Sequence, residues 1–213
     1  MKKLSILVLA VLFAVPAFAG NWGAGVRLGV GENDPEGMDN AFHSGAFSGS
    51  FDENPGIFAI EGLYEMPLRT GDETNKIGFR LGFDFYGENE LDGNMYVAGY
   101  GTAREEATET TWAVPLTAYY KYDGGIKRVS FWGGAGFTFL KAKLEEKTEG
   151  FSSDYSKTKT FFHIAVGSEY RFSELFALGL DLKYNFAAKA KDQGIVISDR
   201  SGLSGALAAR FYF

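Results

Sequence analysis

The segment NWGAGVRLGVGE (21–32) alternates large apolar residues with small or polar ones almost without exception. Trp22, Val26 and Leu28 occupy even positions, whereas glycines and Arg27 occupy the odd ones. A period of two is typical of a β-strand with two unlike faces. The same pattern recurs in seven further segments: 56–66, 76–87, 111–122, 129–140, 161–172, 177–186 and 203–213. Any fold of this chain must therefore accommodate eight strands, each with one apolar face and one face of small or polar residues.

The N-terminus predicts a cleaved signal peptide. Lys2 and Lys3 precede an uncharged run over 4–15, and Ala17-Phe18-Ala19 supplies the small residues of a cleavage site. The run is too short to span a membrane as a helix, which needs about 20 apolar residues. We therefore expect residues 1–19 to be removed and 20–213 to form one β-barrel domain. The chain has no Cys, so we expect no disulfide and no lipoprotein anchor.

The charge and composition narrow the class of protein. Without Lys2 and Lys3 the chain carries 19 Lys and Arg against 27 Asp and Glu, a net charge of −8. An acidic chain without a basic stripe argues against binding to nucleic acid. The 28 Gly, 20 Phe and 11 Tyr are typical of a β-rich protein with close backbone approaches.

The connections between the segments alternate in length. Long connections follow the odd segments, at 32–55, 88–110, 141–160 and 187–202, and short ones follow the even segments, at 67–75, 123–128 and 173–175. Long loops on one side and short turns on the other are typical of outer-membrane barrels. Pro115 interrupts the fourth segment, and we expect a local bulge there because proline cannot donate to the ladder.

The apolar faces are predicted to point outward to lipid. Their aromatic residues gather near both segment ends, as in the girdles of membrane barrels, and an eight-stranded interior is too narrow to hold so many rings. The opposite faces carry charges in the middle of the strands. These residues form the predicted interior charge network: Arg27, Glu61, Arg80, Asp84, Glu169, Asp181, Lys183 and Arg210.

Two stretches carry a family resemblance. GSEYRFSELFALGLDLKYNF (167–186), with a short turn between aromatic-rich strands, resembles the small eight-stranded outer-membrane barrels of the OmpX, opacity-protein and OmpA transmembrane-domain type. The ending ALAARFYF (206–213) is similar to the signal that such barrels present to the outer-membrane assembly machinery, with Phe213 and Phe211 as its aromatics.

The resemblance and the pattern together predict an all-β protein: a monomeric eight-stranded antiparallel up-and-down transmembrane β-barrel in the bacterial outer membrane. Outer-membrane lipid and lipopolysaccharide are then its immediate partners, and the long loops face outward toward an extracellular partner. We expect neither an enzyme nor a cofactor. Buried charges persist when they are paired, so the interior is predicted to be an ion-paired plug.

Two other functions remain open at this stage. The same charges could line a narrow, porin-like channel for small or apolar solutes. A lipid-modifying enzyme would need a nucleophile beside a base, for which the candidates are His43 with Ser44 and His163 with Ser168; the second pair is divided between the two strand faces.

The first two long connections are acidic and could hold Ca²⁺, but their spacing matches no calcium loop, so solvated charge is expected. Their acidic residues are Glu32, Asp34, Glu36, Asp39, Asp52 and Glu53 in the first and Glu88, Glu90, Asp92, Glu105, Glu106 and Glu109 in the second. The first also contains AFHSGAFSGSF (41–51), a candidate to fold over the barrel mouth.

Overall fold

The computed structural model describes residues 20–32, 55–72, 74–97, 101–148, 151–192 and 195–213. Within these ranges the strands are β1 (Asn21–Gly31), β2 (Gly56–Pro67), β3 (Asn75–Tyr86), β4 (Asn89–Val97), β5 (Gly101–Ile126), β6 (Val129–Thr148), β7 (Phe151–Arg171), β8 (Phe176–Asn185), β9 (Lys189–Asp192), β10 (Ile195–Asp199) and β11 (Gly202–Tyr212). No described residue belongs to a helix long and apolar enough to cross a membrane. The predicted signal peptide, His43 and Ser44, and the segment 41–51 lie outside the described residues.

Eight of these strands close into an antiparallel barrel, which confirms the predicted fold. The order around the barrel is β3, β2, β1, β11, β8, β7, β6 and β5, and β5 returns to pair with β3. The first and last barrel strands pair from Gly23 opposite Tyr212 to Gly31 opposite Ser204, so β1 and β11 close the wall. Closure leaves these strands without free edges within the barrel.

The apolar faces of the barrel strands point outward, as predicted. Leu28, Leu207 and Phe211 are 63%, 69% and 56% exposed on the isolated chain, whereas Arg210 on the opposite face is fully buried. The outward rings contact one another across strands, with 4.7 Å between the ring centroids of Trp22 and Tyr64. This arrangement matches a wall that meets lipid with a polar interior behind it.

Three strands are longer than the sequence pattern predicted. β5, β6 and β7 contain 26, 20 and 21 residues, so the connections predicted at 88–110 and 141–160 are largely strand, not loop. β4, a strand that the sequence analysis did not predict, pairs with the start of β5. We call this projecting sheet the ridge: β4 with residues 101–111 of β5, 141–148 of β6 and 151–161 of β7.

The physical reason for the missed extensions is an inversion of polarity. In β6, Leu140, Ala142 and Leu144 point inward and are buried, whereas Lys141 and Lys143 alternate with them on the outward face. The period of two is kept, but the outward face is now polar because it meets water rather than lipid. A search for apolar outward faces therefore ends at Leu140.

The predicted bulge at Pro115 is wrong. Pro115 pairs regularly with Thr138 of β6, and the register with β3 is the same at Leu81 opposite Leu116 as at Asp84 opposite Ala113. The missing N–H of Pro115 removes a ladder bond without inserting a residue. The strand continues in register because its pairing with β6 is intact.

A hairpin of β9 and β10 fills the barrel mouth beside the ridge. Its residues Ala190, Val196 and Ile197 are buried against Leu144 and Phe161 of the ridge. The same apolar cluster reaches the interior wall of the barrel through β2 and β3. We call this cluster the apolar cap. The fourth connection, predicted as a loop at 187–202, thus supplies the cover of the mouth within the described part of the chain.

Candidate functional site

All eight predicted interior charges lie inside the barrel wall. The alternation of the strands turns each of them inward, and none is more than 7% exposed. They come from six strands that are distant in sequence, so the closed register is what brings them together. We call the ion-paired set in the lumen the charge network.

Arg210 lies at the centre of the charge network and contacts three carboxylates. Its Nε donates to Oε1 of Glu61 at 2.6 Å and its Nη1 donates to Oε1 of Glu169 at 2.8 Å. Its Nη2 donates to Asp181. One guanidinium on β11 therefore ties together β2, β7 and β8. Such charge-assisted bonds are about twice as strong as neutral ones.

Arg27 continues the network along the other side of Glu61. Its Nε lies 3.0 Å from Oε2 of Glu61, and its Nη2 donates to Oδ1 of Asp84 at 2.6 Å. The second oxygen of Asp84 accepts a bond from Nζ of Lys183 at 2.8 Å. Arg27, Glu61 and Asp84 each have two or more charged partners, which holds their side chains in one arrangement.

Arg80 closes the central part of the network. Its Nη1 donates to Oδ2 of Asp181 at 3.0 Å, and its Nε lies 3.6 Å from Oε2 of Glu61. The guanidinium also stacks over the ring of Trp132, 4.0 Å from the centroid. Glu61 thus faces Arg27, Arg80 and Arg210 together.

Sequence reasoning missed two members of the network, Lys121 and Glu65. Nζ of Lys121 lies 2.9 Å from Oε1 of Glu65 and 2.5 Å from Oε2 of Glu169. The hydroxyls of Tyr119 and Tyr212 donate to Glu65 and Glu169 at 3.0 and 2.8 Å. Both missed residues stand at inward positions of the alternation, but they lie near the short turns and so escaped a search restricted to strand centres.

With these two residues the network contains five cations and five carboxylates. Its cations are Arg27, Arg80, Lys121, Lys183 and Arg210, and its carboxylates are Glu61, Glu65, Asp84, Glu169 and Asp181. A cavity of about 20 Å³ remains beside Arg80 and Asp181, which is room for about one water. The described residues therefore leave no open passage through this level of the barrel.

A second ion pair anchors the hairpin and corrects one prediction. Glu109, expected to be a solvated loop acid, is fully buried, and its Oε1 accepts bonds from Arg200 at 2.9 Å and from Thr111 at 2.7 Å. The guanidinium of Arg200 also faces the ring of Tyr86 at 4.8 Å. Glu109 was misassigned because its partner lies 91 residues away in a hairpin that the pattern did not predict.

The other acids predicted to be solvated divide into two groups. Glu88, Glu90 and Glu106 are exposed, as expected, and Glu32 is exposed with its Oε2 accepting a bond from the backbone of Leu203 at 2.9 Å. The side chains of Asp92 and Glu105 and the whole of Asp34, Glu36, Asp39, Asp52 and Glu53 lie outside the described residues. No group of three or more His, Asp or Glu among the described residues is arranged to hold a metal.

His163 occupies the lumen between two threonines. Its Nε2 lies 2.8 Å from the hydroxyl of Thr117 and its Nδ1 lies 2.9 Å from the hydroxyl of Thr138. Both ring nitrogens are thus engaged, and Ser168 stands at an outward position of the same strand. The structure does not bring His163 and Ser168 together as a base and a nucleophile.

Replacing Glu61 tests the charge network directly. Glu61→Ala removes the carboxylate shared by Arg27, Arg80 and Arg210, and breaking a buried pair in this way costs about 3–5 kcal/mol. We expect the unfolding midpoint in urea, followed on folded protein in lipid vesicles, to fall accordingly. Glu145→Gln breaks an exposed pair with Lys143 and is the matched control, which should unfold like the wild type. Equal midpoints for all three proteins would contradict the role given to Glu61.

Several solved structures are similar to this chain. The solved structure of Ail, the attachment invasion locus protein of Yersinia pestis, covers 92% of this chain and 99% of its own at 14% identity, with a TM-score of 0.50. The same protein in complex with the heparin analogue sucrose octasulfate gives a TM-score of 0.51, at the same identity and coverage. Neisserial surface protein A covers 92% of this chain and 98% of its own at 15% identity, with a TM-score of 0.48.

A search among curated protein sequences finds no match. The sequence pattern of the outer membrane protein beta-barrel domain, however, matches residues 5–211, nearly the whole chain. The closed barrel, its outward apolar wall and this match together place the chain in the family of outer membrane protein beta-barrel domains.

Proposed function

We propose that this outer-membrane barrel is a closed structural and surface-interaction protein rather than a pore. The observation that carries the proposal is that the lumen is closed at two levels. The charge network fills the barrel between the lipid-facing walls, and the apolar cap fills the mouth above it. A solute passing through would have to separate several buried ion pairs and displace the hairpin, so the outer surface is the part available to partners.

The ridge is the surface that we assign to an extracellular partner. With both chain ends and the short turns in the periplasm, the ridge stands outside the cell. From Phe139 to Thr148, β6 rises about 30 Å at about 3.3 Å per residue. Loops and projections of such barrels usually carry their functions. The complex of Ail with the heparin analogue sucrose octasulfate supports the idea that a barrel of this fold binds a partner.

The N-terminal region fits this location. We propose that residues 1–19 are cleaved during secretion, so that the mature protein begins at Gly20, and the intact mass of the purified protein tests this. In the structure Gly20 leads directly into β1, whose Trp22 exchanges backbone hydrogen bonds with Phe213 at 3.1 and 2.8 Å. A longer N-terminal extension would therefore leave the barrel at the periplasmic rim.

Lipopolysaccharide is the lipid partner that the outer wall favours. Lys141 and Lys143 follow Phe139 on the outward face of β6, and the strand neighbours of Lys143 are the hydroxyl residues Thr110 and Ser156. Ammonium and hydroxyl groups at the edge of the apolar wall suit lipid phosphates. We expect a double variant, Lys141→Gln with Lys143→Gln, to retain less lipopolysaccharide on purification than a Lys127→Gln variant. Equal retention would contradict this partner.

The rival function is a narrow channel, and single-channel recording separates the two. In planar bilayers we expect the wild type to be nearly silent because its charges neutralise one another. Glu61→Ala leaves guanidinium groups without that partner, draws water into the lumen and should raise the conductance. Glu145→Gln, outside the lumen, should stay silent. A wild type that conducts steadily, with Glu61→Ala no different, would favour the channel.

Phe213 and Phe211 are proposed to be the signal for the assembly machinery. Phe213 is 75% exposed at the end of the wall, while its backbone is held by Trp22. We expect Phe213→Ala to insert into the outer membrane far more slowly than the wild type in a pulse-chase assay. Phe137→Ala removes another outward ring, 56% exposed, from mid-wall and is the control. Equal insertion of both variants would contradict the role of Phe213 as an assembly signal.

A further inference from the structure

A large chamber, whose lining includes several polar and charged side chains, opens at the end of the barrel where Asn21 and the short turns lie. Its volume is about 690 Å³, within the usual range for small-molecule sites. It lies on the periplasmic side of Glu65 and Lys121, so it is separated from the outside by the whole charge network. Nothing in the proposed surface function uses this chamber.

Arg171 is a partly buried cation in the chamber wall whose charge is only weakly neutralised. Its closest carboxylate oxygen, Oε2 of Glu65, lies 3.7 Å from Nη2, beyond hydrogen-bond distance. The other oxygen of Glu65 is already held by Lys121 and Tyr119. Nε and Nη2 of Arg171 have no hydrogen-bond partner among the described residues. The guanidinium is nevertheless fixed, because it stacks 4.8 Å from the centroid of the Tyr212 ring.

The carboxylates of the chamber are engaged elsewhere. Oδ2 of Asp123 accepts a bond from Lys76 at 2.6 Å. Asp72 accepts bonds from the side chain and backbone of Asn75 at 2.9 and 3.0 Å and from the backbone of Thr74 at 2.9 Å. These bonds, the Asn75 side chain first among them, hold the pKa of Asp72 below its usual range. Neither carboxylate is therefore bonded to Arg171.

Two further donors line the chamber close to Arg171. The backbone N–H of Arg171, at the end of β7, donates to the carbonyl of Arg128 at 2.8 Å, which brings Arg128, in the turn between β5 and β6, next to Arg171. Ser130 is 3% exposed, yet its buried hydroxyl has no hydrogen-bond partner in the described part of the chain. Two guanidinium groups and an unpaired hydroxyl thus face one polar space.

We propose that this chamber binds a small periplasmic solute through an anionic oxygen group, a phosphate or a carboxylate, with Arg171 as the principal ligand. The planar fork of arginine suits both oxygen groups, and its bidentate bonds add geometric selectivity. Arg128 supplies a second positive charge and Ser130 a hydroxyl donor. The site opens to the periplasm, so binding there requires no passage through the closed lumen.

Nuclear magnetic resonance of the folded barrel in detergent micelles tests the site. Inorganic phosphate and acetate are titrated separately at constant ionic strength, with chloride as the reference, while the arginine Nε–H signals are followed. We expect saturable shifts at Arg171 with at least one of the two anions, and the stronger of them identifies the preferred group. Shifts that rise linearly and equally for chloride would overturn the proposal.

Variants complete the test. Arg171→Gln should weaken binding by about tenfold or more, since hydrogen bonds to charged groups are among the stronger ones. Arg69→Gln changes an exposed arginine on the turn between β2 and β3 that does not line the chamber, and it should bind like the wild type. If Arg171→Gln fails to fold, Ser130→Ala and Arg128→Gln replace it, each with an expected loss of about threefold or more. Unchanged affinity in the folded variants would refute the site.

Discussion

The neutralisation of Arg210 is the interaction on which the interior depends. A guanidinium in a narrow lumen needs carboxylates around it, and those carboxylates need further cations. Glu61 therefore also forms ion pairs with Arg27 and Arg80, and Glu169 forms one with Lys121. The five cations and five carboxylates of the charge network then balance one another. Because consecutive members come from different strands, the same bonds that satisfy the charges also fix the relative positions of the wall strands.

The large side chains in the lumen fit because glycines on neighbouring strands face them. A Cβ at Gly179 would lie 2.7 Å from Nη1 of Arg210, and one at Gly78 would lie 2.5 Å from the ring of Tyr119. An eight-stranded interior is just wide enough for side chains to fill it. Arg210 and Tyr119 therefore require a missing side chain on a neighbouring strand, and the glycines that alternate with apolar residues in the sequence meet this requirement.

The sequence predicted the barrel strands and the inward direction of Arg27 and Arg210 because lipid imposes a strict period of two on the wall. It did not predict the ridge, where the outward residues meet water and the apolar signal moves to the inner face. The pairing of Glu109 with Arg200 was also beyond reach, since it depends on how a distant hairpin folds back. The alternation within one segment predicts which way each side chain points. Which charged side chains meet in the lumen depends on how the strands are aligned with one another around the barrel.

The inversion of polarity along β6 connects the fold to the proposed function. Up to Phe139 the wall is apolar outside and polar inside, and from Leu140 onward it is polar outside and apolar inside. The ridge is thus built like a water-soluble sheet, with an inner face buried in the apolar cap that the hairpin, the ridge and the barrel wall form together. It does not rely on lipid for its burial. A projecting sheet whose inner face is packed against the hairpin is suited to hold its shape in water, which is why we propose it as the surface for a partner outside the cell.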